Sequence, residues 1–172
     1  MVLIWIILLI LFLIVLFTFA YGAVSGAPWL PTRGADVDRM IEFSGIGEGD
    51  KFYEMGSGDG RLASAVVRAG GKAYGFEVAF FPYVISRIRR LFLKKRENCV
   101  IKWRNFWNAD ISDADFVYVF LRPERNGKMV AKLRKEMKKG AKIIAYVWPF
   151  EGWEPLKVDK KEDRVNLYLY EI

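Results

Sequence analysis

The residues best suited to chemistry stand in one run, Tyr53-Glu54-Met55-Gly56-Ser57-Gly58-Asp59-Gly60-Arg61, and Glu77 follows 17 positions after Gly60. The glycines repeat as G-x-G-x-G. A dinucleotide turn needs G-x-G-x-x-G, and its third place here is Arg61. A phosphate-binding loop needs a Gly-Lys-Ser/Thr that does not follow. Bare backbone at Gly56, Gly58 and Gly60 lets a ligand that is not a pyrophosphate lie close against the chain. Glu54, closing a run that reads as a strand, can attract a cationic amino group. Glu77, closing the next such run, can accept hydrogen bonds from both hydroxyls of a ribose. Together they describe a site for an amino-acid nucleoside. A glycine turn with a purely structural role is the bland alternative, and the two carboxylates in register with the loop weigh against it.

S-adenosylmethionine is such a nucleoside, and the composition suits a cofactor that brings its own reactivity. Among 172 residues there is no histidine and a single cysteine, Cys99. That excludes a Ser-His-Asp triad, a Cys-His pair, an HExxH zinc site, an internal disulfide and any multi-cysteine zinc site. No metal is expected. Catalysis must rest on carboxylates, tyrosine, backbone groups or the cofactor itself.

Elements that could hold these residues alternate along the chain. Apolar positions Val37, Met40 and Ile41 before Gly45 predict a short helix over 33–44. Strands are predicted over 51–55, 72–77, 100–104, 116–121 and 141–148, and helices over 60–69, 82–96 and 124–139. The alternation of Leu167 to Tyr170 predicts an antiparallel edge. This is an α/β pattern, a Rossmann-like sheet of parallel strands joined by right-handed crossovers.

Charge divides the chain in two. Net charge is +7, yet residues 1–32 carry no charged side chain, so all 27 Lys and Arg and all 20 Asp and Glu lie in 33–172. Val2 to Tyr21 is an apolar run of about 30 Å as a helix, the thickness of a bilayer core, with Trp5 and Tyr21 near its ends. A cleaved signal peptide is the rival reading; the run is too long for one and no Lys or Arg precedes it. The expected organisation is an anchor over 1–22, a linker and short covering helix over 23–50, and a catalytic domain over 51–172. Arg33 and Arg39 follow the span, which places the domain on the cytoplasmic side. A reduced compartment also suits a free Cys99.

With these motifs the sequence resembles the class I, seven-strand S-adenosylmethionine-dependent methyltransferases. Within them it is similar to the membrane-anchored protein-lysine methyltransferases of the ATP synthase c-subunit and the adenine nucleotide translocase. Pro28-Trp29-Leu30-Pro31-Thr32 resembles that family's Pro-x-Val-Pro-Thr segment, which folds over the cofactor, and residues 54–61 resemble its glycine loop. Gly75-Phe76-Glu77, Asn105-Phe106-Trp107, Leu121-Arg122-Pro123-Glu124-Arg125-Asn126 and Trp148-Pro149-Phe150-Glu151-Gly152-Trp153 match further family stretches. The resemblance implies cofactor contacts at Thr32, Glu54, Gly56, Ser57, Gly58, Asp59, Gly60, Glu77 and Asn105. Asn105 stands where the family has Asp, and Phe120 where it prefers Tyr. No Asn-Pro-Pro-Tyr is present, which disfavours methylation of DNA bases or glutamine. Eleven residues separate Trp103 from Asp115, and the link after Trp148 is similarly short, so the fold is expected in a pared-down form.

A lysine nucleophile must lose its proton and sit in line with the transferred methyl, which an apolar pocket favours. Trp107, Phe120, Trp148 and Trp153 are the candidates for that wall, and the Leu121 carbonyl for orienting the amine; no general base stands out. Basic residues crowd 87–96, with Ile85, Ile88, Leu91 and Phe92 read as the apolar side, and 132–139. They suggest docking on anionic lipid or a solvated face; no nucleic-acid recognition module is present. The expected function is methylation of a lysine on a membrane protein. Alternatives are methylation of a lipid or quinone-like molecule, and a membrane-tethered binding module with a vestigial site.

Overall fold

The structure, a computed structural model, describes residues 1–25 and 30–172. Residues 26–29, the middle of the expected linker with Pro28 and Trp29, lie outside the described residues. In chain order the elements are α1 (Val2–Ser25), α2 (Gly34–Ser44), β1 (Lys51–Met55), α3 (Arg61–Arg68), β2 (Lys72–Glu77), α4 (Phe80–Leu91), β3 (Cys99–Trp103), β4 (Phe116–Val119), α5 (Asn126–Glu136), β5 (Lys142–Tyr146), β6 (Lys157–Asp159) and β7 (Leu167–Glu171).

Seven strands form one sheet in the order β3-β2-β1-β4-β5-β7-β6. The first five in sequence are parallel, and β7 joins β5 antiparallel with β6 outside it. Side chains alternate between two faces, as the strand period of two requires. Phe52, Tyr118, Ile144 and Leu167 point into a core closed by Val37 and Met40 of α2 and Leu62 and Val66 of α3. Tyr53, Met55, Val117, Ile143 and Tyr170 point the other way, against Met129 and Leu133 of α5.

That second face explains how the short links are tolerated. Between β3 and β4, and between β5 and β6, there is no α-helix among the described residues. Phe106, Ile111 and Phe150 from the connecting loops are instead buried against the sheet and fill the space a helix would occupy. The sheet itself is complete; only its covering helices are reduced.

Three elements differ from the sequence expectation. β6 has no apolar alternation to reveal it, because Lys157, Val158 and Asp159 form an edge with mostly exposed side chains. Helix α4 starts two residues early and stops at Leu91, leaving Lys94, Lys95 and Arg96 beyond it. Its buried positions are Pro82 and Ser86, so Ile88, Leu91 and Phe92 face outward rather than into the core. The predicted helix over 124–139 is a 3-10 turn at Pro123–Arg125 followed by α5, which excludes Lys138 and Lys139.

Helix α1 is a 24-residue apolar helix whose Val2–Tyr21 stretch is long and apolar enough to cross a membrane. Most of its side chains are exposed. Near its C-terminal end Phe17, Thr18 and Tyr21 line a depression with Val78, Trp103 and Asn105.

Candidate active site

Order in the sheet reverses between β1 and β4, and a cleft opens there at the carboxyl ends of β1, β2 and β4, the usual ligand position in such sheets. It has a volume of about 470 Å³ including its open mouth. Its lining includes Leu30, Pro31, Thr32, Glu54, Gly56, Ser57, Gly58, Asp59, Arg61, Glu77, Tyr118 and Phe120.

The glycine loop is tied to the end of β2. Gly56 and Ser57 donate from their amides to the Phe76 carbonyl at 3.1 and 2.9 Å. The Gly58 and Ala79 amides each donate to one oxygen of the Glu77 carboxylate at 2.7 Å. Two positions demand glycine on steric grounds. A Cβ on Gly75 would stand 2.6 Å from that of Ser57, and one on Gly60, at φ +71°, would stand 2.7 Å from Ile101. Gly60 thereby caps α3 from below the cleft and does not line it.

Two buried atoms in this cleft have no hydrogen-bond partner among the described residues: Oε2 of Glu54 and Oγ of Ser57. Both side chains are nearly inaccessible, at 4% and 3% exposure, so neither is satisfied by bulk solvent. Burial pushes the Glu54 carboxyl well above the usual carboxylate range, with Asp59 and Glu77 adding to the rise. Burial also raises Glu77, against the pull of the Ala79 and Gly58 amides. The cleft therefore offers a carboxylate oxygen and a hydroxyl to a ligand, and an amino-acid nucleoside carries the cation and the polar groups that match them.

Asp59 is engaged differently. Its carboxylate accepts from Arg61 Nη2 and Arg89 Nη2, each at 2.9 Å. Burial alone would raise it, but hydrogen bonds and charge from these arginines hold it below its usual value. Arg61 reaches on to the Thr32 carbonyl at 3.0 Å, and Thr32 Oγ1 lies 2.8 Å from the Tyr118 hydroxyl. Beyond Thr32, Tyr146 donates to Asp36 at 2.8 Å, and Arg39 bridges Asp36 and Asp159. The segment before α2 is thus fastened through Thr32 to Arg61 and Tyr118, and α2 itself through Asp36 and Arg39. At its rim Phe120 stacks on Trp148 and meets Tyr146 edge-on, with centroids 5.8 and 4.8 Å apart. Between Tyr146 and Trp148, Val147 holds φ +75°, a strained conformation for a β-branched residue.

Of the residues expected at the site, Thr32, Glu54, Gly56, Ser57, Gly58, Asp59, Glu77 and Phe120 share this cleft. Asn105 stands outside it: its amide lies 3.4 Å from the Tyr21 hydroxyl and its carbonyl accepts from the Trp107 amide. Trp107 and Trp153 pack on the α5 side of the sheet, beneath Lys128 and Arg134 at 4.4 and 4.5 Å from the ring centroids. Leu121 is buried in that same core. Trp148 lines a neighbouring hollow with Pro123, Asn126 and Pro149. Sequence reasoning missed Tyr118 and Arg61. Tyr118 could have been found, since it precedes Phe120 by two on one strand face and pairs in register with Glu54.

Known proteins share this arrangement. The ANTKMT methyltransferase domain family matches residues 54–157. A protein-lysine N-methyltransferase of Saccharolobus islandicus is 33% identical over 159 residues, covering 87% of this chain and 96% of its own. The ATP synthase c-subunit lysine N-methyltransferase of Rattus norvegicus is 27% identical over 128 residues, 74% of this chain and 59% of its own length. Among solved structures, an RNA methyltransferase from Salinibacter ruber in complex with S-adenosylhomocysteine superposes with a TM-score of 0.79 at 26% identity, covering 83% of this chain and 94% of its own. The glycine loop, the paired acidic strand ends and the 3-2-1-4-5-7-6 sheet stand together as one unit, and the chain belongs to the S-adenosylmethionine-dependent protein-lysine methyltransferases of the ANTKMT domain family.

Proposed function

We propose that this methyltransferase is a single-pass membrane enzyme acting on a lysine of a membrane protein close to the bilayer surface. The observation that carries the reading is the end of α1. Phe17, Thr18 and Tyr21 lie against Val78, Trp103 and Asn105, at the same carboxyl edge of the sheet where the cleft opens. An apolar helix crossing the membrane would hold that edge toward the lipid. The domain then lies on the cytoplasmic side, the side favoured by the basic residues Arg33 and Arg39 that follow the span. Residues 1–22 form the anchor, 23–50 the linker and covering helix, and 51–172 the catalytic domain. That one relative is named for the c-subunit of ATP synthase supports a membrane protein as substrate.

When bound, S-adenosylmethionine supplies an activated methyl group on a sulfonium centre. Glu54 is placed to receive its ammonium group, and the backbone of Gly56, Ser57 and Gly58 to lie against it. Glu77 would accept from the ribose hydroxyls while keeping its bonds to Gly58 and Ala79. Thr32 closes the cleft from above, and Asp59 holds the loop through Arg61 and Arg89. Asn105, outside the cleft, would reach the adenine only by leaving its contacts with Tyr21 and Trp107. Phe120, just after β4, and Trp148, just after β5, form the apolar wall that favours a neutral lysine amine, and the carbonyl of Leu121, the next residue after Phe120, is the candidate for orienting it.

Transfer of a tritiated methyl group from the cofactor into native membranes tests the reading. Label is expected in a protein band; label extracted with lipid, or only in soluble protein, would refute it. Glu77→Ala should reduce transfer by at least tenfold while preserving the fold as judged by circular dichroism.

A further inference from the structure

Helix α4 carries a surface that methyl transfer does not use. Phe81, Ile88, Leu91 and Phe92 are 50%, 53%, 61% and 84% exposed. Positions 81, 88 and 92 fall within about 40° of one another around a helix, so they form one outward stripe. Residues 80–98 hold six Lys and Arg against a single acid, Glu97. Arg89 is occupied by Asp59, and Arg90 by the carbonyls of Arg96 and Cys99. Arg87, Lys94 and Lys95 form no ion pair among the described residues. Phe92 and Leu93 also wall a groove rimmed by Arg68, Lys94 and Lys95, which sets cations beside apolar side chains as a phospholipid sets its phosphate beside its chains.

An apolar stripe of this kind on a soluble domain would normally be covered. The same helix starts beside the end of α1, where exposed Trp103, a residue type enriched at membrane interfaces, meets Phe80 edge-on at 5.5 Å. Charge and continuity with the anchor select the occupant. We propose that α4 lies in the headgroup layer of an anionic leaflet, with Phe81, Ile88 and Phe92 immersed and Arg87, Lys94 and Lys95 paired with lipid phosphates. This rests on the reading of α1 as an anchor only for its orientation, because an interfacial helix can bind lipid without a spanning segment.

Spin labels test it in the whole chain, placed singly through Phe92→Cys, Ile88→Cys and, on the exposed loop after β6, Glu162→Cys; native Cys99 is buried. The labelled chains are reconstituted into phosphatidylcholine vesicles with and without phosphatidylglycerol. With the anionic lipid, labels at 92 and 88 should be reached by oxygen and shielded from a polar nickel relaxant, while the label at 162 stays aqueous. Combined Arg87→Gln, Lys94→Gln and Lys95→Gln should lower the docked-to-undocked ratio roughly five-fold for each cation removed. Aqueous labels at both 88 and 92 in anionic vesicles would overturn the proposal, as would equal immersion in phosphatidylcholine alone. Immersion at 162, showing unspecific adsorption, would do the same, as would dipolar coupling between labels at 92, which would give the stripe to a second copy. Carbonate extraction separates the two readings. Chain retained with aqueous labels ends the docking surface and leaves the anchor; chain released, yet immersed at 92 before extraction, ends the anchor and leaves the docking surface.

Discussion

At Glu54 the fold buries a carboxylate and leaves one oxygen without a partner, an arrangement that costs stability until a cation arrives. Glu54→Gln removes the charge while keeping the shape. At pH above the raised Glu54 value, where the native carboxyl is charged, it should stabilise the ligand-free protein, and it should weaken S-adenosylhomocysteine binding by tenfold or more. Thermal unfolding and calorimetry read the two effects separately; a variant that loses both stability and affinity would show that Glu54 is structural. Val147 stores strain of a different kind. Its positive φ sits between Tyr146, which holds Asp36, and Trp148, which stacks on Phe120, so the hydrogen bond and the ring contact both depend on that one backbone turn.

Helix α2 and the segment before it act as a strap, held by Thr32 to Tyr118 and by Asp36 to Tyr146. Tyr118→Phe and Tyr146→Phe should each cost about 1 kcal/mol of stability. Because both bonds fix one strap, the double variant should depart from additivity by at least about 0.5 kcal/mol, measured by denaturant unfolding, and the cofactor should bind several-fold more weakly. This strap marks the limit of what the sequence discloses. The glycine loop and the strands on either side of it, 51–55 and 72–77, are legible because local glycine chemistry and strand alternation specify them. The partners of Arg61 and Tyr118 are not, because Thr32 lies 29 and 86 residues away. Trp107 and Trp153 read as pocket walls since one-dimensional motifs do not say which side of a sheet a loop will cover; both serve the α5 side. The outward turn of Ile88 and Phe92 escaped for the opposite reason: an apolar stripe signals burial, and the pattern alone does not tell whether protein or lipid provides it.

Titration should report on the molecule as a unit, and its carboxylates pull in two directions. Asp36 and Asp59 are held below 3.8 by their donors, against the opposing effect of burial, so their stabilisation is complete above about pH 4 and is lost as pH falls through their lowered values. Glu54 and Glu77 are raised by burial, so they favour the folded state at low pH, and that support is lost as pH rises through their raised values. The ligand-free chain should therefore be most stable at mildly acidic pH, with no histidine to contribute between. Melting temperatures measured across pH should show this maximum, and S-adenosylhomocysteine should flatten its alkaline side by supplying a cation to Glu54; an unchanged alkaline side would contradict that pairing. A last property follows from Arg89, which leaves the basic helix to grip both the carboxylate and the carbonyl of Asp59 in the glycine loop. The docking surface proposed for α4 and the cofactor loop thus share one side chain, through which any coupling between lipid and nucleoside would pass. On that proposal, whatever factor a charged leaflet adds to the affinity for the nucleoside, the nucleoside must add to the affinity for the leaflet, so a loaded enzyme and an empty one would partition differently on the same membrane by that factor.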